Sequence, residues 1–258
     1  MKFIHLSDLH FHRSTRDNKE AEDVLNYIDN TYPDHKLIIT GDTIDDGDEL
    51  QCKNAMQALQ KFKGRVYLCP GNHDFGAAGN FFSKERAERF DRLLTVPLEQ
   101  GGTFTGDNTP VVNIVKDKID EVMLIALDTN LETDHPFDFA CGEVGDAQRS
   151  ALDNILTSLT CAKTTKIVFF HHHAFIHNNP FMELKDARGL MRCLYHRVDV
   201  VLFGHKHVSK EWKNCNGIQY VLASDNSPGK EWAREISVHN GKVEVNPIAI
   251  SEDAGKQS

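Results

Sequence analysis

The sequence predicts an α/β fold, either one mixed β-sheet finished by antiparallel strands or two sheets packed face to face with helices outside. Five short runs of Val, Ile, Leu and Phe are each bounded by a Gly or a polar turn, which is typical of strands buried on both faces. Amphipathic helical patterns alternate with these runs, and short strands around an Asn-Gly hairpin turn follow near the end. The 258 residues are enough for a substantial hydrophobic core.

The individual elements follow in a regular order along the chain. Apolar residues at helical spacing predict helices over 18–31, 49–63, 83–94, 146–159 and 186–197. The five apolar runs begin at Phe3, Leu37, Val66, Ile167 and Val200, and further strands are predicted over 111–116, 122–127, 218–223, 234–238 and 242–247. Polar stretches over 75–80 and 131–145 predict loops at the rim of a site. No linker or repeat divides the chain, so we expect one domain over 1–250 and a polar tail over 251–258.

Composition and charge exclude several classes of protein. A hydrophobic content of 40% with 26% charged residues is ordinary for a globular protein, and no apolar stretch is long enough to cross a bilayer. Because a strand pattern begins directly after Met1, with no signal peptide, we expect a cytoplasmic protein. The six cysteines are scattered and are expected to be buried free thiols. A formal net charge of −9 opposes tight binding to long nucleic acid.

All five apolar runs end in residue types that bind metal ions. The carboxyl ends of strands in an open α/β sheet line the crevice where ligands bind. Carboxylate oxygen and imidazole nitrogen together suit Mn, Fe or Zn better than Mg or Ca. The sequence therefore predicts a metal site, with room for two ions, whose donors are Asp8, His10, Asp42, Asn72, His171, His205 and His207.

These motifs resemble those of the calcineurin-like metallophosphoesterase superfamily. In order they read Asp8-x-His10, Gly41-Asp42-x-x-Asp45, Gly71-Asn72-His73-Asp74, His171-His172 and Gly204-His205-x-His207. The helix that starts near Gly145 and the step Asp128-Thr129-Asn130 are also similar to the bacterial cyclic-nucleotide phosphodiesterase-like branch. The resemblance implies that family's fold, a four-layer αββα sandwich of two mixed sheets flanked by helices.

The resemblance also implies two metal sites that share one carboxylate. The first would use Asp8, His10, Asp42 and His207, and the second Asp42, Asn72, His171 and His205. Two divalent or trivalent ions are expected, Mn, Fe or Zn, with a mixed Fe/Mn pair open. Where the family usually has His-His-Pro-Pro, this chain has His171-His172-His173-Ala174. That alignment selects His171 as the ligand and leaves its two neighbours as alternatives.

The implied reaction is hydrolysis of a phosphodiester by a hydroxide held between the two ions. His73 and Asp74 are the expected catalytic residues. His73 would stabilise the transition state or protonate the leaving oxygen, with a role in stabilising its loop as the alternative. Asp45, Asp46 and Asp74 are expected to orient other groups. His12, Asn130 and His177 are candidate substrate contacts; the alternative is a solvated side chain for His12 and a polar loop before Pro180 for His177.

The leading hypothesis is therefore a binuclear phosphoesterase that acts on cyclic nucleotides or related small phosphate esters. One alternative is a DNA exonuclease-like phosphodiesterase, which the acidic balance and the lack of an added DNA-capping region oppose. The other is a non-catalytic binding protein on the same fold, which the complete donor set and His73 oppose. The expected partner is a small phosphate ester such as a nucleotide, without membrane binding. Homo-oligomerisation is left open, and the loops over 75–106, 131–145 and 175–185 are expected to select the substrate.

Overall fold

A computed structural model describes residues 1–106, 109–130, 140–158, 164–176, 178–179 and 181–252. Its strands form two large sheets of five and six strands and one two-stranded ribbon. No helix among these residues is both long and apolar enough to cross a membrane. His177 lies outside the described residues, as do most of the loop over 131–145 and most of the tail over 251–258.

The first sheet has a parallel centre and an antiparallel edge. Its central strand β1 (Lys2–Leu6) pairs in parallel with β2 (Lys36–Thr40), which pairs in parallel with β3 (Val66–Cys69). On the other side of β1 lie the two antiparallel strands β12 (Trp232–His239) and β13 (Lys242–Ala249). The helices α1 (Lys19–Thr31) and α2 (Glu49–Leu59) connect the parallel strands.

The second sheet has the strand order β10-β11-β9-β8-β7-β6. Its parallel strands are β7 (Glu121–Ala126), β8 (Thr165–Phe169), β9 (Val200–Phe203) and β11 (Ile218–Ala223). Antiparallel strands form both edges, β6 (Val111–Lys116) and β10 (Lys210–Cys215). The helices α5 (Asp146–Ser158) and α6 (Ala187–Leu194) connect its parallel strands.

The side chains of β7 show how the layers stack, because successive residues of a strand point to opposite faces. Val122, Leu124 and Ala126 belong to the core that includes β1, β2 and β3. Met123, Ile125 and Leu127 instead pack with Leu152 of α5 and Leu190 of α6. Leu25 of α1 and Leu59 of α2 join the first core. The predicted αββα arrangement of two mixed sheets is therefore confirmed.

The structure differs from the predicted elements near the third strand. The stretch predicted as a loop over 75–80 contains the end of a four-residue helix α3 (Asn72–Phe75) and a ribbon of β4 (Gly76–Ala77) and β5 (Phe81–Phe82). The helix predicted over 83–94 divides into α4 (Lys84–Phe90) and a π-helical turn over Asp91–Thr95. Strand β10 was not predicted, since its mostly polar sequence KEWKNC has no apolar run.

Candidate metal centre

The strand ends of both sheets meet at one edge of the sandwich. The segment after β1 contacts the segment after β2, where the Asp8 N–H donates to the Gly41 carbonyl at 3.1 Å. The ends of β8 and β9 are joined by a bond of 3.0 Å from the Gly204 N–H to the His171 carbonyl. The two sheets are linked to each other where the His205 N–H donates to the Asp8 carboxylate at 3.2 Å. This edge therefore brings the predicted donors together.

Three overlapping groups of donor atoms form the cluster, and within each group the atoms lie within 4.8 Å of one another. His171 Nε2 lies 3.2 Å from Asp42 Oδ2 and 3.0 Å from Asn72 Oδ1. His207 Nε2 lies 3.7 Å from Asp8 Oδ1. The groups are Asp8, His10 and His207; His10, Asp42 and His73; and Asp42, His171 and His205. Six of the seven predicted donors belong to these groups, Asn72 contacts His171, and the division into two ligand sets stays a prediction.

Backbone conformation marks the same residues. Asp8, His10, Asp42, His205 and His207 all have φ between 47° and 74°, the left-handed region that residues with a side chain seldom adopt. Each such residue costs on the order of 1–3 kcal/mol and persists where the surroundings enforce it. The hydrogen bonds to the Gly41 carbonyl and the Asp8 carboxylate supply part of that enforcement. The chain therefore aims these side chains inward at a cost in conformational energy.

Glycines within the motifs leave space for the donors. A Cβ at Gly71 would lie 2.2 Å from Asp42 Oδ1, and one at Gly204 would lie 2.6 Å from Asp8 Oδ2. At Gly41 it would lie 2.5 Å from His171 Nδ1. Such distances are too short for any side chain. Gly71 therefore allows the close approach of Asp42, and the same reason applies to the other two positions.

Charges in the cluster are strongly coupled. Burial alone would lower the pKa of His171, but the Asp42 carboxylate raises it to about 9. The pKa of His10 is likewise raised to about 9, against burial, by the nearby carboxylates of Asp45 and Asp42. Burial and then the neighbouring His171 lower the pKa of His205 to about 3. Protons on two imidazoles therefore balance the buried carboxylates, a balance that bound cations would supply instead.

The three consecutive histidines point in different directions. His171 donates from Nδ1 to the Thr40 carbonyl at 2.8 Å, so its Nε2 faces the cluster. The Nδ1 atom of His172 lies 2.8 Å from Thr129 Oγ1, and that of His173 accepts from the Phe175 N–H at 3.1 Å. This geometry supports His171 as the donor of the three.

The donor set fits metal ions. Two buried carboxylates, one amide oxygen and four imidazoles are the ligand types that Mn, Fe and Zn share in proteins. Both ring nitrogens of His10 are buried, and no hydrogen-bond partner reaches them from the residues that the structure describes. Buried polar atoms of this kind are rare and call for a ligand.

His73 lies at the edge of the donors, with its orientation fixed from one side. Its Nδ1 donates to the Asp45 carbonyl at 2.7 Å, and its ring lies edge-on to that of His10 with the centroids 4.8 Å apart. The backbone N–H of His73 donates to Asp42 Oδ1 at 3.0 Å. The turn of the β4–β5 ribbon faces Nε2, because a Cβ at Gly79 would lie 2.6 Å away. The Asp45 carbonyl and the turn of the ribbon therefore hold the ring of His73 between them.

Asp74, predicted together with His73, lies beneath the site. Its fully buried carboxylate accepts the N–H groups of Gly71 at 2.8 Å and Ile44 at 2.9 Å, and that of Thr43 at 3.3 Å. Burial, and then the charge of Asp42, raise the pKa of Asp74 to about 7. These bonds join the loops after β2 and β3. The structure places Asp74 as a positioning residue, whereas the backbone of Asp45 orients His73.

The candidate substrate contacts are placed unevenly. His12 lies 3.3 Å from Asp45 through its Nδ1 and lines a cleft of about 600 Å³ that also borders His73. Asn130 donates its amide to Asp128 at 2.7 Å and pairs through its backbone with Gly142. His177 lies outside the described residues. His12 thus borders the mouth of the site, and contact of all three with substrate stays a prediction.

Two residues that support the donors were missed from the sequence. Asp225 is buried beneath His207, with 3.7 Å between its Oδ1 and Nδ1 of the imidazole. The Asn226 amide oxygen accepts the Ser7 N–H at 3.1 Å and so holds the first motif. Both follow the end of β11, so the strand-end pattern could have identified them.

Known proteins resemble this chain in sequence and in fold. A protein from Xenorhabdus bovienii named "Probable cyclic nucleotide phosphodiesterase" is 22% identical over 232 residues, which cover 84% of this chain and 82% of that protein. A protein from Coxiella burnetii, also named "Probable cyclic nucleotide phosphodiesterase", is 27% identical over 220 residues. These residues cover 80% of this chain and 76% of that protein. The crystal structure of a dimetal phosphatase from Danio rerio shares the fold with a TM-score of 0.65 at 15% identity, over 97% of this chain and 99% of the other.

A family model supplies the assignment. The model described as calcineurin-like phosphoesterase matches residues 1–209, which include every donor from Asp8 to His207. By sequence and by fold, the chain belongs to the calcineurin-like phosphoesterase family.

Proposed function

We propose that this chain is a binuclear metal-dependent phosphodiesterase that hydrolyses cyclic nucleotides or related small phosphate esters. The observation that carries the proposal is the convergence of two carboxylates, one amide and four imidazoles on one strand edge with His73 beside them. The names of the relatives from Xenorhabdus bovienii and Coxiella burnetii support a diester as substrate.

Two metal ions would be held by the two predicted ligand sets. Asp8, His10, Asp42 and His207 form one set, and Asp42, Asn72, His171 and His205 form the other. Bound cations supply an activated water at neutral pH and stabilise negative charge on phosphate oxygens. The proposed metal ions are Mn, Fe or Zn. The proposed location of the protein is the cytoplasm.

The residues of the chain itself orient groups and move a proton. The bond from His73 Nδ1 to the Asp45 carbonyl fixes the ring, so in the imidazolium form Nε2–H is available to the leaving oxygen. Asp74 keeps the loops that carry Asp42 and Asn72 together. The Asn72 amide donates to the Gly79 carbonyl at 3.0 Å, which turns its oxygen toward His171 and the cluster.

A substrate panel tests the proposal. Protein stripped of metal and reloaded with Mn²⁺ should cleave one or more of 3′,5′-cyclic nucleotides, 2′,3′-cyclic nucleotides and linear diesters faster than monoesters. Asp42→Asn should abolish turnover, and His73→Gln should lower kcat by about 10²–10⁴-fold with metal content preserved. Asp34→Asn and His239→Gln, at exposed positions away from the site, are the matched controls.

The same panel separates the alternatives. Preferential degradation of single-stranded DNA would favour the exonuclease hypothesis. Failure to cleave any ester with two metal ions bound per chain would indicate a binding protein and reject the proposal.

A further inference from the structure

A second cavity, the aromatic pocket, lies beside Phe82 of the β4–β5 ribbon. It has a volume of about 350 Å³, within the range of small-molecule sites. It is lined by Phe75, Phe82, Phe104, Thr105 and Asp128, together with Lys84, Ala87, Glu88 and Gly106. The lining therefore combines three aromatic side chains with the half-buried carboxylate of Asp128, while the exposed Glu88 lies 3.9 Å from Lys84.

The aromatic pocket borders the metal centre from two sides. Phe75 closes the helical turn that begins with the donor Asn72. Asp128 follows β7, where the register that pairs Ala126 with Phe169 continues through the Leu127 N–H bond of 2.9 Å to the Phe169 carbonyl. That register sets Asp128 beside the donor His171. Their backbones are then about 5 Å apart, which is the spacing of adjacent strands. A ligand with phosphate at the donors therefore has this pocket within reach.

Hydrogen bonds keep the walls of the pocket in place. The buried Asp91 carboxylate accepts the N–H groups of Phe104 at 3.0 Å and Thr105 at 2.7 Å, as well as the Thr105 hydroxyl at 2.6 Å. Phe75 and Phe82 meet edge to face, with ring centroids 6.2 Å apart. A site whose walls are held in advance binds without the cost of ordering them.

The chemistry of the lining selects one part of a substrate. A carboxylate repels phosphate but accepts hydrogen bonds from N–H donors, and Asp128 Oδ1 is already oriented by the backbone and side chain of Asn130 at 2.8 and 2.7 Å. Aromatic faces stack well on flat heterocycles, and nucleobases combine such a face with N–H donors along one edge. A neutral planar base fits this lining, whereas a sugar or a second phosphate does not.

We propose that the aromatic pocket binds the nucleobase of a nucleotide substrate whose phosphate lies at the metal centre, an inference that rests on the proposed function. Phe82 supplies the stacking face, and Asp128 accepts from the donor edge of the base. The pocket thus makes the enzyme prefer nucleotides to aliphatic diesters.

Neighbouring residues on β5 provide a matched test. Phe82 is half-buried in the pocket, whereas Phe81 is 52% exposed on the opposite face of the same strand. Adenosine binding is measured by calorimetry, and kcat/KM is measured for a 3′,5′-cyclic nucleotide and for the aliphatic diester glycerophosphoethanolamine. Phe82→Ala should weaken adenosine binding and lower the preference for the nucleotide by roughly 5- to 100-fold. Phe81→Ala should leave both values unchanged.

The outcomes separate this inference from the proposed function. Phe82→Leu keeps apolar packing without the ring and should behave like Phe82→Ala, so it answers the question if the alanine variant does not fold. Equal values for the Phe81 and Phe82 variants, or no adenosine binding by the wild type, would overturn the pocket while diester hydrolysis still supported the proposed function. Adenosine binding lost with Phe82 in a protein that cleaves no ester would retain the pocket and reject the enzyme.

Discussion

Asp225 lies between the imidazole of His207, a proposed metal ligand, and a surface cation. Its Oδ1 is 3.7 Å from His207 Nδ1, and its Oδ2 is 3.2 Å from the Lys230 ammonium. The Ser227 hydroxyl donates to the same carboxylate at 2.6 Å and so holds it in place. A carboxylate beneath a ligating histidine sets the ring orientation and makes the facing nitrogen more basic.

Asp225→Asn should therefore weaken metal binding at the site that includes His207. The asparagine keeps a bond to Ser227 but loses the negative charge, and such changes typically cost about 10- to 100-fold in metal affinity. Competition titration of Mn²⁺ or Zn²⁺ against a chelator measures the effect. Asp199→Asn is the control, because the Asp199 carboxylate accepts a hydrogen bond from the Lys166 N–H at the other end of the strands. Equal affinities in the two variants would count against this role.

His5 provides a second prediction, away from the donors. It is fully buried in β1 with its Nε2 2.9 Å from Thr40 Oγ1, and burial, aided by Arg234, lowers its pKa to about 3. The unfolded chain, with a histidine pKa of 6.5, binds more protons than the folded chain between these values. The contribution of neutral His5 to the free energy of unfolding is thus fully present above pH 6.5, and it is lost as the pH falls toward 3.

Replacing His5 with glutamine removes this titration. At pH 5 the group contributes about 2 kcal/mol of acid destabilisation, since one pKa unit corresponds to about 1.4 kcal/mol. The loss of unfolding free energy between pH 7.5 and 5.0 should be smaller by that amount in His5→Gln than in the wild type. Urea denaturation with chelator present measures it, and His239→Gln should keep the slope of the wild type. An unchanged slope in His5→Gln would refute the prediction.

At the residue scale, the sequence identifies donors better than their supports. Each donor sits in a short motif directly after a strand, so a local pattern is enough to find it. Asp45 orients His73 through its carbonyl, which no side-chain pattern reveals. Asp225 and Asn226 also follow a predicted strand, but their contacts depend on β11 lying beside β9, a pairing that only the fold establishes.

Among the elements, the β4–β5 ribbon has the most direct link to chemistry. Its turn carries Gly79 at φ +70°, with the Gly79 carbonyl bonded to the Asn72 amide. A Cβ there would lie 2.6 Å from His73 Nε2 and 2.7 Å from Asn72 Nδ2. The short strands on either side hold this turn against one expected metal ligand and the expected acid.

Gly79→Ala should therefore remove most of the activity at a modest cost in stability. The added methyl must displace His73 or Asn72, and an alanine with positive φ costs about 1–2 kcal/mol. Gly241→Ala is a matched control, because Gly241 has φ +71° in the β12–β13 hairpin and a Cβ there meets nothing within 4 Å. Both variants should lose similar unfolding free energy, but only Gly79→Ala should lose kcat. Similar activities would disprove the link.

The ribbon also shows the limit of prediction at this scale. Long apolar runs and amphipathic helices carry enough local signal, and the sequence places all five strands that lead into the donors. Two-residue strands such as β4 and β5 carry almost none, and their pairing depends on Ser83 and Phe75, joined by a backbone bond of 2.8 Å. Strand β10 was missed because it lies at the edge of the sheet and pairs with one strand. Its side chains are mostly exposed, so its sequence has no apolar pattern.

For the whole molecule, the metal centre is a junction between the sheets. Asp8, Asp42 and Asn72 come from the first sheet, and His171, His205 and His207 come from the second. Asp8 and Asp42 are 0% and 2% exposed, and burial raises the pKa of Asp8, with the charge of Asp42 adding to the effect. Two buried carboxylates repel each other across the junction unless cations or protons neutralise them.

Removal of metal should therefore destabilise the fold as a whole. A cation present at 100 times its Kd adds about 2.7 kcal/mol by mass action, which for a chain of this size corresponds to roughly 5–10 °C in Tm. Calorimetry with excess chelator and with Mn²⁺ measures the difference. Asp42→Asn should lose most of the rise, because Asp42 serves both sites, whereas Asp34→Asn should keep it. A rise of the same size in both variants would show that the stabilising cation binds elsewhere.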